Sequence, residues 1–136
     1  MKAGYSGTPL LQKLGIKEGS KVQLLNAPDN YFDLLERDIK KQLCKKNELP
    51  DFVHLFAKNK KVFEKGIQKI LRNMTPTTVI WVSWYKKSAG IATDLTESNI
   101  RSYILQNNLV DVKVCAVSEA WSGLKVVVPV AKRKTI

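Results

Sequence analysis

The fold turns on residues 77–108, TTVIWVSWYKKSAGIATDLTESNIRSYILQNN. Its first nine residues form a near-continuous β-branched and aromatic run, which suits a strand covered on both faces. DLTESNIRSYILQNN, 94–108, reads as a helix, with Asp94 and Glu97 at capping-box spacing. A buried strand feeding a helix is the repeating unit of α/β architecture. The connector YKKSAG, 85–90, places two lysines, a serine and a glycine where an α/β protein would hold a phosphate.

The same pattern extends outward. Upstream, DFVHLFA (51–57) is a second short apolar run bounded by Pro50 and Lys58. KNKKVFEKGIQKILRNM (58–74) is amphipathic: Val62, Phe63, Gly66, Ile67, Ile70, Leu71 and Met74 recur at helical spacing. Lys60, Lys61, Lys65, Lys69 and Arg72 take the remainder. Nearer the start, GTPLLQKLGIKEG (7–19) carries helix signals: Thr8 as cap, Pro9 in the first turn and Gly15 as stop. KVQLLNAP (21–28) predicts a strand ending near Asn26, and DNYFDLLE (29–36) a short helix capped by Asp29. RDIKKQLCK (37–45) alternates imperfectly and is read as a short edge strand. Downstream, VDVKVCAV and LKVVVPV are two strands joined by the hairpin SEAWSG, 118–123. Helix-linked strands imply right-handed crossovers in a parallel sheet. The expected fold class is therefore α/β, a three-layer Rossmann-like sandwich, its mostly parallel sheet ending in an antiparallel hairpin. One domain spans 1–136, with 131–136 a frayed basic tail.

The chain has 136 residues, enough to bury a core without disulfide or metal staples. Its longest apolar stretches fall far short of a membrane span of roughly 20 residues. Residues 1–17 lack a signal-peptide apolar region, so a cytoplasmic protein is expected, with no membrane partner. Cys44 and Cys115 lie in unrelated segments, and buried free thiols are expected. Lysine and arginine number 23 against 12 acids, a formal charge of +11, which can mark a nucleic-acid partner. The cations are mostly lysines spread over several segments, and arginine, the usual bidentate phosphate reader, is scarce. Nucleic acid is thus the less favoured partner.

Ligands of α/β proteins bind at the carboxyl edge of the sheet. That edge should collect Asn26 and Asp29, Lys58 and Asn59, then Lys86, Lys87 and Ser88. If VDVKVCAV runs parallel to the preceding strand, SEAWSG reaches the same edge. Glu119, Trp121 and Ser122 would then face Lys86–Asp94. A helix start near Asp94–Thr96 favours anions, but Asp94 is expected to satisfy those donors itself. No GxGxxG, P-loop, HExxH, GxSxG or Cys/His cluster occurs. No cofactor and no metal is assigned. His54 sits inside an expected buried strand and reads as a hydrogen-bonded core residue. Trp81 and Trp84 read as core or pocket wall.

Four segments carry a resemblance: AGYSGTPLLQKLGIKEGSKVQLLNAP, VIWVSWYKKSAGIATDLTE, NLVDVKVCAVSEAWSGLKVVV and the looser DFVHLFAKN. Together they resemble the bacterial family called domain of unknown function 3052. Tyr85 stands where that family has proline. Ser118 and Ala120 depart from its DETWSG motif, while Glu119, Trp121, Ser122 and Gly123 match. The resemblance implies a short bacterial protein and supplies no catalytic residues. The strand order also looks like a methyltransferase core without its cofactor-binding front.

The expected function is a non-catalytic module binding a small polar or anionic ligand, or a protein partner. Its site would comprise Asn26, Lys86, Lys87, Ser88, Thr93, Asp94, Glu119, Trp121 and Ser122. Two alternatives stand beside it. One is a cryptic enzyme with Asp94 or Glu119 as base and Lys86 or Lys87 as anion clamp. The other is a nucleic-acid binder using the lysine face of 58–72 and the tail.

Overall fold

The computed structural model describes residues 9–135, and side chains as far as Lys132. Nine principal elements follow one another: α1 (Leu10–Leu14), β1 (Val22–Leu25), α2 (Tyr31–Leu35), β2 (Phe52–Phe56), α3 (Lys60–Leu71), β3 (Val79–Tyr85), α4 (Glu97–Gln106), β4 (Val110–Ala116) and β5 (Trp121–Val127). The five strands form one sheet in the order β1-β2-β3-β5-β4. β1, β2 and β3 are parallel, and β5 inserts antiparallel between β3 and β4. β4 therefore runs in the same direction as β3, so the β4–β5 hairpin turns at the carboxyl edge.

Helices cover both faces of the central strands β2 and β3, giving the expected three layers, while the edge strand β4 is largely exposed. Leu10 and Leu14 of α1 and Tyr31 and Leu35 of α2 pack with Phe56, Trp81 and Trp121 on one face. Phe63, Ile67 and Ile70 of α3 and Ile100 and Ile104 of α4 pack with Val53, Leu55, Val82 and Trp84 on the other. Strand side chains alternate between faces, so β2 and β3 need apolar residues at consecutive positions. That requirement is the reason their sequences read as near-continuous apolar runs, broken only by His54 and Ser83. Two glycines allow close approach. A Cβ on Gly66 would lie 2.5 Å from Leu55 Cδ1, and one on Gly123 would lie 2.8 Å from Val117 Cγ2 and 3.2 Å from the Trp81 ring.

Several local expectations change. Thr8 lies outside the described residues; α1 begins after Pro9 and ends at Gly15 in the left-handed conformation, φ 81°. α2 is preceded by Asn30, and Asp29 does not cap it. The expected edge strand over 37–45 shrinks to one parallel bridge between Leu43 and Val22, after a 3-10 turn at Lys40–Gln42. The chain steps outside β1 there and returns past its amino end, where Asp51 accepts the Lys21 N–H. α4 is capped by Thr96, whose hydroxyl accepts the Asn99 N–H, and not by Asp94. Residues 130–135 form a 3-10 stretch, and Lys132 Nζ donates to Asn108 Oδ1 at 2.7 Å. Cys44 and Cys115 are free thiols, each only half-buried, and partial desolvation raises both above the ordinary thiol range. Among the described residues no helix is long and apolar enough to cross a membrane.

Candidate functional site

The two loops singled out at the carboxyl edge meet. Lys86 N–H donates to Ala120 O at 2.9 Å, and the Tyr85 and Trp121 rings stack with centroids 4.3 Å apart. The contact follows from register, since Tyr85 pairs with Trp121 and Trp84 with Ser122 across β3 and β5. The pleat then sends neighbouring side chains to opposite faces. Trp84 and Ser122 look toward α4, whereas Tyr85 and Trp121 look toward α1 and α2.

A cleft of about 770 Å³ opens on the α4 side. Lys86, Lys87, Ser88, Thr93 and Ser122 line it, together with Trp84, Ile91, Leu95, Thr96, Glu97 and Ser98. Its rim is anchored at both ends. The hairpin holds Lys86, Lys87–Ala89 make a 3-10 turn closed by Gly90 at φ 70°, and the far side is tied to α3. There Thr93 Oγ1 donates to Lys58 O at 2.8 Å, and Asp94 Oδ1 accepts the Lys60 N–H at 2.8 Å. Asp94 thus caps α3, 34 residues away, beside the Asn59 cap.

Five of the nine expected site residues, Lys86, Lys87, Ser88, Thr93 and Ser122, therefore share the cleft. The other four do not line it. Asp94 is adjacent in sequence but serves α3. Trp121 is only 9% exposed and packs edge-on against Phe56 on the opposite face. Glu119 is exposed at the hairpin tip, and Asn26 is exposed after β1 with φ 59°. Ser98 and Glu97 enter the cleft because Thr96, not Asp94, caps α4. Their placement was legible only once the helix start moved two residues onward.

The chemistry of the cleft is mixed. Trp84 and Leu95 supply an apolar floor, 7% and 2% exposed, and Ile91 is an exposed apolar rim residue at 45%. Thr93 and Thr96 hydroxyls are engaged in turn and cap bonds. Ser88, Ser98 and Ser122 make no side-chain hydrogen bond among the described residues. The first-turn N–H groups of Glu97 and Ser98 lie outside the Thr96 cap, at the positive end of the α4 dipole. The Glu97 carboxylate is drawn off by Arg101, whose Nε lies 3.0 Å away. Lys86 and Lys87 are the lysines at the mouth of the cleft.

Across the sheet, the space beside the ends of β1 and β2 is filled. Tyr31 packs edge-on to Phe56, and His54 stacks on Phe56 with centroids 4.2 Å apart. His54 Nδ1 lies 2.8 Å from the Tyr31 hydroxyl and Nε2 lies 2.7 Å from Ser83 Oγ. All three residues are buried, and burial lowers the His54 pKa from 6.5 to about 3. The imidazole is a neutral structural bridge, as its place in a buried run suggested. Among the described residues no three His, Cys, Asp or Glu side chains gather as a metal site requires.

No family model matches the chain, and no curated protein does either, so its likeness to domain of unknown function 3052 stays a resemblance of motifs. Solved structures are similar in fold at low identity. A protein of the NADB-Rossmann superfamily from Streptococcus agalactiae matches at TM-score 0.55 and 11% identity, over 93% of this chain and 69% of that one. Ribosomal protein L11 methylase from Lactobacillus delbrueckii subsp. bulgaricus matches at 0.57 and 8%, over 86% and 73%. The N-methyltransferase NodS from Bradyrhizobium japonicum WM9 matches at 0.54 and 11%, over 88% and 92%. The chain has the Rossmann-like α/β fold that these proteins share.

Proposed function

We propose that this chain binds a small ligand with an anionic group and an apolar body, seated in the cleft between residues 84–98 and Ser122. The observation that carries the reading is the cleft itself. It stands at the carboxyl edge, where this architecture places ligands. It joins a tryptophan floor to two lysines, three uncommitted serine hydroxyls and the start of a ten-residue helix. The apolar body would cover Trp84 and Ile91. The anionic group would face Lys86, Lys87 and the α4 N-terminus.

Group transfer in the same cleft is a second reading, motivated by the methyltransferases among the structural neighbours. The residues first considered for it fit poorly, because Asp94 is bonded to α3 and Glu119 lies outside the cleft. A nucleotide-type cofactor beside β1 also fits poorly. Tyr31, His54 and Phe56 occupy that space, and β1 exits through Leu24-Leu25-Asn26-Ala27-Pro28 without glycine.

A thermal-shift screen of phosphorylated and carboxylated metabolites tests the binding reading. At least one anionic compound should raise Tm, and its uncharged analogue should not. Lys87→Glu should abolish that shift by charge, and Ser98→Trp by filling the cleft. A shift that survives both substitutions would place the ligand elsewhere.

A further inference from the structure

The exposed face of α3 carries an arrangement that the helix itself does not need. Lys61, Lys65, Lys69 and Arg72 are all exposed, and their spacing of four, four and three residues puts them on one stripe. The opposite face, Phe63, Ile67 and Ile70, is buried against the sheet. Like charges at these spacings oppose helix formation. Lys60 and Lys61 also occupy the first turn, which holds no acid although the dipole favours one there. Asp94 compensates from outside the helix, through its bond to the Lys60 N–H.

Among the described residues, two cations elsewhere have acidic partners. Arg101 contacts Glu97 and Asp111, and Lys21 contacts Glu48 at 3.0 Å. None of the four stripe cations has an ion-pair partner among the described residues. Glu64 is the one acid on α3, and it lies off the stripe, half-buried. An exposed row of like charges that the helix's own stability does not require points to function.

We infer that the α3 stripe is a track for the phosphodiester backbone of a nucleic-acid strand. Lys61 to Arg72 spans about 16 Å at 1.5 Å per residue. Projected on a duplex axis, that length corresponds to the rise of roughly four or five phosphates of one strand, at about 3.4 Å each. Lysines with few arginines suit backbone contact rather than base reading, so the track binds with little sequence preference. Few arginines mean few bidentate contacts, so the track would hold phosphates through lysine point charges. This inference stands apart from occupancy of the cleft, because no stripe residue lines it.

Fluorescence anisotropy of mixed-sequence oligonucleotides, as single-stranded RNA, single-stranded DNA and duplex DNA, tests it between about 20 and 200 mM salt. The full chain should bind at least one, with log K falling against log salt at a slope of roughly −3 for a single strand. Replacing Lys61, Lys65, Lys69 and Arg72 by alanine, the best helix former, should weaken binding about 30-fold or more at low salt. It should also flatten the slope by roughly three. A charge-matched control, with Lys40, Lys41, Lys45 and Lys46 replaced by alanine, should bind within about threefold of the natural chain. Lys61→Arg, Lys65→Arg and Lys69→Arg together should preserve binding. Binding by either RNA or DNA supports the track, and the arms show which strand is preferred. No binding to any oligonucleotide at about 20 mM salt overturns it. So does equal loss in the stripe and control variants, or binding only to phosphatidylserine vesicles.

Discussion

His54 illustrates how much one residue's surroundings decide. Its sequence context, a polar ring inside DFVHLFA, already spoke for a core role, and the structure supplies its partners, Tyr31 and Ser83. The folded-state pKa of about 3 lies below the 6.5 of an exposed imidazole. Between those values the unfolded chain holds the extra proton, so this group's contribution is fully present above about pH 6.5 and is lost as pH falls toward 3. Chemical denaturation of the natural chain should lose on the order of 1 kcal/mol per pH unit more than His54→Gln over that window. Ser83→Ala leaves a buried ring nitrogen unpartnered and should cost about 1–3 kcal/mol at pH 7. Gly123→Ala should cost a similar amount, about 1–3 kcal/mol, by overpacking. Trp81 cannot readily yield there, because its Nε1 donates to Leu14 O at 2.9 Å.

Among elements, every principal helix and strand was legible in order, because hydrophobic period and length distinguish them well. Caps were less legible. Asp94 and Thr96 stand two residues apart in DLTE, and both are good capping types. Only the fold brings Lys60 beside Asp94 and so assigns the acid to α3. Asp94→Ala should therefore destabilise α3 rather than α4, by about 1 kcal/mol. Asp94→Asn should recover most of that loss, since an amide oxygen can accept the same bond. Hydrogen exchange would locate the effect: amides near Lys60–Phe63 should exchange faster, while those near Asn99–Ile100 should hold. The short segment 37–45 was read as a strand because Ile39, Lys41 and Leu43 alternate. Its turn at Lys40–Gln42 and single bridge at Leu43 show that alternation over so few residues carries little directional information.

At the scale of the molecule, sheet order decided which site residues came together. The sequence placed YKKSAG and SEAWSG at one edge, and the antiparallel insertion of β5 beside β3 brings them into contact. It could not say which face each side chain takes, because that depends on register. Trp84 and Ser122 pair toward the cleft, while the Tyr85 and Trp121 rings stack on the other face of the sheet, with Tyr85 also among the residues lining the cleft. Trp121 stays out of the cleft for that reason, while Glu119 sits at the hairpin tip outside both strands. The lysine face of 58–72, legible from helical spacing, stands apart from the lysines at the cleft mouth in three dimensions.

The central claim is that the carboxyl-edge cleft receives an anionic small molecule. Backbone amide shift mapping during titration with the best compound from the thermal screen tests it most directly. The largest perturbations should fall at residues 86–88, 95–98 and 122, and Lys87→Glu should remove them. Perturbations centred on the β1 edge or on the Trp121 face, or none with any anionic compound at millimolar concentration, would contradict it.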